Sequence, residues 1–396
     1  MIFKNARLIF PDGVRDGLEV VVCDGKIDAI RPPAPRLRRA GEQTDAEARA
    51  EEVVDLAGNY LAPGFIDLHV HGALGRDTME VSAEAFRAIC DFHASGGTTS
   101  LLLSTATAPI AKLVELLKAA RNFRPSISAI AGIHVEGPFI SKAKCGAQRA
   151  EFIQDPSLAA VQRLLEHADV IKRITIAPEL PGALQAIEDF HAHGVSVSGG
   201  HSDAWDEDAR AAFERGMRSV THTFNCMSSA RRRGVYRVGG LLEFALSEPQ
   251  ISCELIADGH HVSPTLMKML YRAKGPDGIC LVTDATAGAG LPDESRFSLF
   301  GNDCLVEGGV CLLSDRSALA GSASRMIDLV RNMVHDVAVP LHEAVAMATQ
   351  NPAQAIDLQT KGRLRVGADA DLVLLSPKLE ILRVFTGGDE LASNRQ

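Results

Sequence analysis

What most limits the folds open to this chain is a repeated alternation. Apolar runs of strand length recur at 60–69, 98–104, 127–136, 171–178, 195–201, 219–223, 251–258 and 279–284. Segments with helical periodicity lie between most of them, at 82–94, 109–122, 156–168, 183–193, 205–216 and 263–274, and another helix is expected at 324–337. Strand-then-helix order makes neighbouring strands parallel and places the helices outside the sheet. Eight such units close into a (β/α)8 TIM-like barrel. An open doubly wound sheet is the alternative. No Gly-x-Gly-x-x-Gly follows an early strand, so a dinucleotide fold has no support.

The two ends read differently. Ala6–Phe10, Leu18–Cys23 and Lys26–Ile30 are short apolar runs separated by turn signals at Pro11-Asp12-Gly13 and Asp24-Gly25. Residues 31–52 are rich in Pro, Arg, Glu and Ala and read as a solvated loop. Near the other end, Leu372–Leu375 and Leu379–Phe385 are again strand-like. Chain ends often lie close together. Residues 1–58 and 358–396 are therefore expected to form one small β-sandwich domain, flanking a catalytic barrel at 59–357.

Charge and cysteine usage exclude several classes. A net charge of −9 argues against a nucleic-acid partner, and Arg231-Arg232-Arg233 with Arg237 is too short a cluster for such a footprint. No basic start followed by a long apolar run suggests a signal peptide, and no uncharged stretch is long enough to span a membrane. The eight cysteines are scattered without a Cys-x-x-Cys pair, which fits free thiols in a reducing cytoplasm.

Chemistry concentrates where the expected strands end. In Phe65-Ile66-Asp67-Leu68-His69-Val70-His71, strand alternation turns both histidines to one side. His134 and Glu136 end the third run, His201 the fifth and His222 the sixth. Asp258 with His260 and His261 ends the seventh, and Asp284 the eighth. A barrel gathers these ends on its active face. Acidic side chains at buried positions need a partner or a metal. Nitrogen plus carboxylate donors suit zinc first, with iron, manganese or cobalt as alternatives. Asp284 is the best candidate for proton transfer, a turn or helix-cap aspartate being the plainer reading. His134 reads either as support for a ligand or as packing. His93, His167, His191, His193, His335 and His342 fall in or beside expected helices and read as solvent-facing or satisfied in the core.

Seven segments in order carry a resemblance. They are 63–72 (Pro-Gly-Phe-Ile-Asp-Leu-His-Val-His-Gly), 132–139 (Gly-Ile-His-Val-Glu-Gly-Pro-Phe), 199–204, 221–228 (Thr-His-Thr-Phe-Asn-Cys-Met-Ser), 256–262, 281–285 and 319–322. Together they resemble the N-acetylglucosamine-6-phosphate deacetylase family of the amidohydrolase superfamily. The resemblance implies metal ligation by Glu136, His201 and His222, and His69 and His71 would allow a second ion, so one or two per chain. It implies Asp284 as general acid/base toward a metal-activated water, with release of acetate and glucosamine 6-phosphate. Ala147, Gln148, Asn225, Cys226, His261, Leu319, Ala320 and Gly321 match substrate-contacting positions. A homodimer is implied, with the partner subunit completing the phosphate end.

Two departures stand out. Cys226 replaces a usual alanine or glycine. The family's His-His-Arg-Glu-Pro-Gly loop is replaced by residues 229–240, so either Arg233 or Arg237 falls on the phosphate arginine. The altered loop leaves open a different N-acyl sugar, unphosphorylated or another epimer, or an N-acyl amino acid.

Overall fold

The structure, a computed structural model, describes residues 1–33, 52–124 and 129–391. Most of the expected loop at 31–52, and the first residues of the expected strand at 127–136, lie outside the described residues. Eight strands, Phe65–Val70, Thr98–Ser104, Ile130–Glu136, Ile171–Ile176, Ser196–Gly199, Met217–Val220, Ser252–Leu255 and Ile279–Leu281, form one sheet. They neighbour one another in chain order. Every pairing is parallel. A parallel bridge between Val70 and Ala285 returns the eighth strand to the first. That bridge rules out the open sheet: the strands form a barrel.

A closed parallel sheet is covered on both faces, which is why its strands are apolar runs. All six residues of Phe65–Val70 are buried. Inside the barrel, Ile66, Leu68, Leu102, Ile256 and Val282 pack with Ala353 and Ile356. Outside it, the helices turn one stripe inward. In Ile110–Phe123 the buried residues are Leu113, Val114, Leu116, Leu117 and Ala120, and each leucine so covered contributes roughly 1.5–3 kcal/mol. Ser82 and Ser157 cap the helices that follow them by accepting from the Ala85 and Ala160 amides at 3.1 and 3.3 Å.

A second eight-stranded sheet is built from both chain ends. Its strands are Ile2–Phe10, Gly13–Cys23, Lys26–Arg31, Val53–Asp55, Tyr60–Pro63, Leu372–Leu375, Ile381–Thr386 and Asp389–Glu390. Phe3, Leu8, Val20, Ile27, Leu61, Leu372 and Phe385 form a separate apolar core there. The Asp24-Gly25 turn has both φ angles positive, at 48° and 74°, the backbone that a tight hairpin favours.

The run expected as one strand over 60–69 is two. Tyr60–Pro63 pairs with Leu372–Leu375 in the terminal sheet, and Phe65–Val70 begins the barrel. Gly64 sits at the crossing. A Cβ there would lie 2.2 Å from Thr99 Oγ1, so only glycine lets the chain pass.

Three small sheets among the described residues were not anticipated, one of them the short pairing of Gly72–Ala73 with Arg76–Asp77. Arg231–Arg233 and Tyr236–Val238 form a hairpin where a loop was expected. Arg296–Leu299, Asn302–Glu307 and Val310–Leu313 form a three-stranded sheet after the eighth barrel strand.

Candidate active site

The strand ends converge as the barrel requires. Two groups of donor atoms form, His69 with His71 and Asp284, and Glu136 with His201 and His222, each within 4.8 Å. Glu136 joins them. Its Oε1 lies 3.1 Å from His201 Nε2, 3.2 Å from His222 Nε2 and 3.4 Å from His69 Nε2. Its Oε2 lies 3.2 Å from His71 Nε2. Asp284 Oδ1 stands 3.5 Å from the Nε2 atoms of both His69 and His71.

Backbone geometry aims these groups. His201, His222 and Asp284 have φ values of 46°, 30° and 49°. Left-handed backbone at non-glycine residues costs about 1–3 kcal/mol each and gathers at functional sites. Here it turns side chains that leave the strand ends toward a common point.

The environment fits a divalent cation. His201 Nδ1 lies 2.8 Å from the Lys144 carbonyl oxygen, which can only accept. Nδ1 therefore carries the hydrogen and Nε2 turns its lone pair inward, 3.1 Å from His222 Nε2. Facing imidazole nitrogens around a shared carboxylate need a cation or protons between them. Without a metal, protons serve. Burial disfavours charge on His69 and His201, yet the Asp284 and Glu136 carboxylates hold His69, and Glu136 holds His201, well above the usual histidine range. Burial would raise Glu136, but His69 and His201 hold it well below the usual carboxylate range.

A cavity of about 270 Å³ opens over these groups. Of the expected residues, His71, Glu136, Ala147, Gln148, His201, His222, Asn225, Cys226, His261, Asp284, Leu319 and Gly321 line it. His69 is fully buried beneath. Ala320 is also buried, packed in the core of the inserted sheet, so it backs the wall. Gln148 donates to Glu136 Oε2 at 2.6 Å and accepts from the Thr107 amide at 2.7 Å. His261 donates from Nδ1 to Asp258 Oδ2 at 2.7 Å; burial alone would lower its pKa, but this bond raises it.

Arg233 and Arg237 are not among the lining residues. Both sit on the exposed hairpin. Arg233 Nη1 meets Glu207 Oε1 at 2.8 Å, with its guanidinium 4.0 Å above the Trp205 ring. Arg237 carries no ion pair among the described residues. None of the six histidines set aside as structural lines the cavity. One of them, His93, is fully buried rather than solvent-facing, and burial pushes its pKa down to about 4.

Three buried charged residues that support the site went unremarked in the sequence. Glu254 Oε2 lies 3.4 Å from His69 Nδ1 and accepts from the His222 amide at 3.2 Å. Arg173 holds Glu254 from the other side at 2.9 Å, both being 1% exposed. Asp67 accepts from the Thr283 hydroxyl at 2.6 Å and the His69 amide at 3.2 Å, tying the first strand to the eighth. The signal was available: charges inside otherwise apolar strands. His134 lies against His69. Its ring packs edge-on to His69, 4.5 Å between centroids, and Ser104 and Thr175 hold its nitrogens at 3.0 and 2.8 Å.

A (β/α)8 barrel whose mouth carries this donor set is the arrangement that suits metal-assisted hydrolysis. The chain belongs to the amidohydrolase family, whose model matches residues 60–391. It is 33% identical to the N-acetylglucosamine-6-phosphate deacetylase of Lysinibacillus sphaericus over 392 residues, covering 98% of this chain and 97% of that one. It is 32% identical to the N-acetylgalactosamine-6-phosphate deacetylase of Escherichia coli O157:H7, with 99% of each covered. Among solved structures, the N-acetylglucosamine-6-phosphate deacetylase of Pasteurella multocida superposes with a TM-score of 0.89 at 33% identity, covering 99% of both chains. A mutant of the Mycobacterium smegmatis enzyme in complex with N-acetyl-D-glucosamine-6-phosphate superposes with a TM-score of 0.89 at 28% identity, covering 99% of both chains.

Proposed function

We propose that this chain hydrolyses the acetamido bond of N-acetylglucosamine 6-phosphate, giving acetate and glucosamine 6-phosphate. The observation that carries the reading is the pair of donor groups bridged by Glu136 in one cavity, with Asp284 on its wall. A cation held by Glu136, His201 and His222, with a second at His69 and His71, would polarise the amide carbonyl and lower the pKa of a water toward ~7. Zinc is the metal proposed.

Asp284 takes the proton of the attacking water and returns it to the departing amine. Its side chain is 15% exposed, open to the cavity yet beside both histidines. His261, fixed by Asp258, and Asn225 face the sugar. Gln148 stands on the carbonyl side, where its amide lends a hydrogen bond to the developing oxyanion. The same proposal includes a cytoplasmic homodimer and a division into terminal-sheet and barrel units, with the first boundary moved from the expected residue 58 to Gly64, because Tyr60–Pro63 pairs in the terminal sheet, and the second kept near residue 358. It also gives the phosphate contact to the arginine hairpin, with the partner subunit helping to complete that end.

The test is acetate release by purified protein reconstituted with zinc, on N-acetylglucosamine 6-phosphate, its galactosamine epimer and unphosphorylated N-acetylglucosamine. Preference for the first supports the reading. Preference for the epimer, which the Escherichia coli relative's 32% identity favours as the second reading, would change the sugar and keep the chemistry. Absence of release from all three, with zinc, iron, manganese or cobalt, overturns it.

A further inference from the structure

A second, larger cavity adjoins the metal-ligand cavity, and nothing in the reaction above uses it. It measures about 650 Å³, within the size range of ligand pockets. Met79, Ala106, Ala108, Phe152, Ala287 and Phe300 supply most of its apolar wall. Phe300 lines both cavities. Its ring stands edge-on to His71, 5.2 Å between centroids.

The two cavities occupy different sectors of the barrel mouth. The smaller one takes Asn225, Cys226 and His261 from segments after the sixth and seventh strands. The larger one takes Met79, Ala106 and Ala108 from segments after the first and second. An amide being cleaved has two arms. If the sugar arm lies among Asn225, Cys226 and His261, with the carbonyl at the donor cluster, the acyl arm points away from the sugar, toward the larger cavity. Phe300 and Gln148 stand at that boundary. Phe300 holds a φ of 54° at the Phe300-Gly301 tip of the inserted sheet, a conformation rare for a bulky residue and one that places its ring at the junction.

We propose that the larger cavity is an acyl-chain pocket, so that the enzyme accepts N-acyl amino-sugar phosphates with linear aliphatic acyl groups longer than acetyl. This rests on the deacylase reading above. The bond broken is the same amide: water adds to the carbonyl carbon, the C–N bond breaks, and the amine leaves with the proton, giving a longer carboxylate. Each methylene buried in such a wall tightens binding by up to about fourfold.

The test compares N-acetyl, N-butanoyl and N-hexanoyl glucosamine 6-phosphate on the wild type and on Ser298→Trp. Ser298 is exposed, lines the larger cavity and is absent from the smaller one. The hexanoyl compound should show a KM at least tenfold below that of the acetyl compound in the wild type. Ser298→Trp should abolish that advantage and leave acetyl hydrolysis unchanged. Calorimetry on the zinc-loaded protein should show hexanoate binding at least tenfold more tightly than acetate, with the difference lost in Ser298→Trp. Hexanoyl hydrolysis more than a hundredfold slower than acetyl, with hexanoate binding no tighter than acetate, overturns the pocket. If no acyl sugar phosphate is cleaved, the deacylase reading fails, and the hexanoate and acetate titrations still decide the pocket.

Discussion

Glu254→Gln tests how the site is held from beneath. Glu254 and Arg173 form an ion pair at 2.9 Å, and each is 1% exposed. Glutamine keeps an acceptor for the His222 amide and for His69 Nδ1, but it strands the Arg173 charge in the barrel interior. Breaking one partner of a buried pair costs about 3–5 kcal/mol. A chain of 396 residues has an unfolding entropy of about 0.8 kcal/mol/K at ~2.1 cal/mol/K per residue. The variant should therefore melt roughly 4–6 °C below the wild type.

Removing both charges should restore much of the loss, because Arg173→Met with Glu254→Leu leaves no unpaired buried charge, although the His222 amide and His69 Nδ1 lose their acceptor. The two variants should separate stability from site geometry. The double variant regains melting temperature but not the acceptor for His69 Nδ1. Loss of a partner that orients a ligand lowers metal affinity by about 10- to 100-fold, so zinc bound through His69 should be weakened in the double variant and largely kept in Glu254→Gln. Scanning calorimetry and zinc titration read the two effects independently. A melting temperature for Glu254→Gln within about 1 °C of wild type, or full zinc affinity in the double variant, would refute the account.

The other expected outcomes follow from the same geometry. Asp284→Asn should lower kcat by at least ~100-fold, the scale of a positioned acid/base, with metal content by elemental analysis largely kept. His201→Ala should lose bound metal and acetate release together. Chelation of the wild type should lower its melting temperature by about 5 °C, since a ligand at 1,000 times its Kd adds ~4 kcal/mol. Arg237→Ala should lower the preference for the phosphorylated sugar by roughly ten- to a hundredfold, the scale of a lost charge-assisted contact. Arg233→Ala should do less, because Glu207 and Trp205 already engage that side chain; steady-state kinetics on both sugars decides. Asp369 supplies a pH prediction. Burial would raise its pKa, but Lys26 and Lys361 hold it below the ordinary 3.8. The stability this adds is therefore complete above about pH 4 and is lost as pH falls through the depressed value, so Asp369→Asn should flatten the acid limb of a stability–pH curve measured by urea unfolding.

What could be read in the sequence was whatever depends on local spacing. A buried parallel strand announces itself as an apolar run, and a histidine or carboxylate at its end is conspicuous because it breaks the run. His69, His71, Glu136, His201, His222 and Asp284 were visible for that reason. Closure of the barrel brings them together whatever the loops do. Glu254 and Arg173 break their runs in mid-strand, and there the local signal is ambiguous. One buried charge is a liability, whereas two facing charges on the fourth and seventh strands form a support, and only the folded barrel shows that they face.

The segments between strands carried the least local information, and the cavity wall at Ala147, Gln148, Asn225, Cys226 and His261 is built from them. Residues 229–240 gave an arginine count but no frame. The structure supplies the frame, an exposed hairpin that stacks Arg231 and Arg233 on Trp205 at 4.1 and 4.0 Å and leaves Arg237 without an ion pair among the described residues. The inserted sheet at 296–313 is a parallel case. Nothing in Leu299-Phe300-Gly301-Asn302 marks a phenylalanine that would stand against His71, because that contact joins a hairpin tip to the end of the first barrel strand. The donor set is thus a property of strand order, whereas the hairpins to which we assign the proposed limits on sugar and acyl group depend on long-range packing for their placement. Variation among relatives that deacetylate different hexosamine phosphates should accordingly concentrate in these hairpins, with the donor cluster unchanged beneath them.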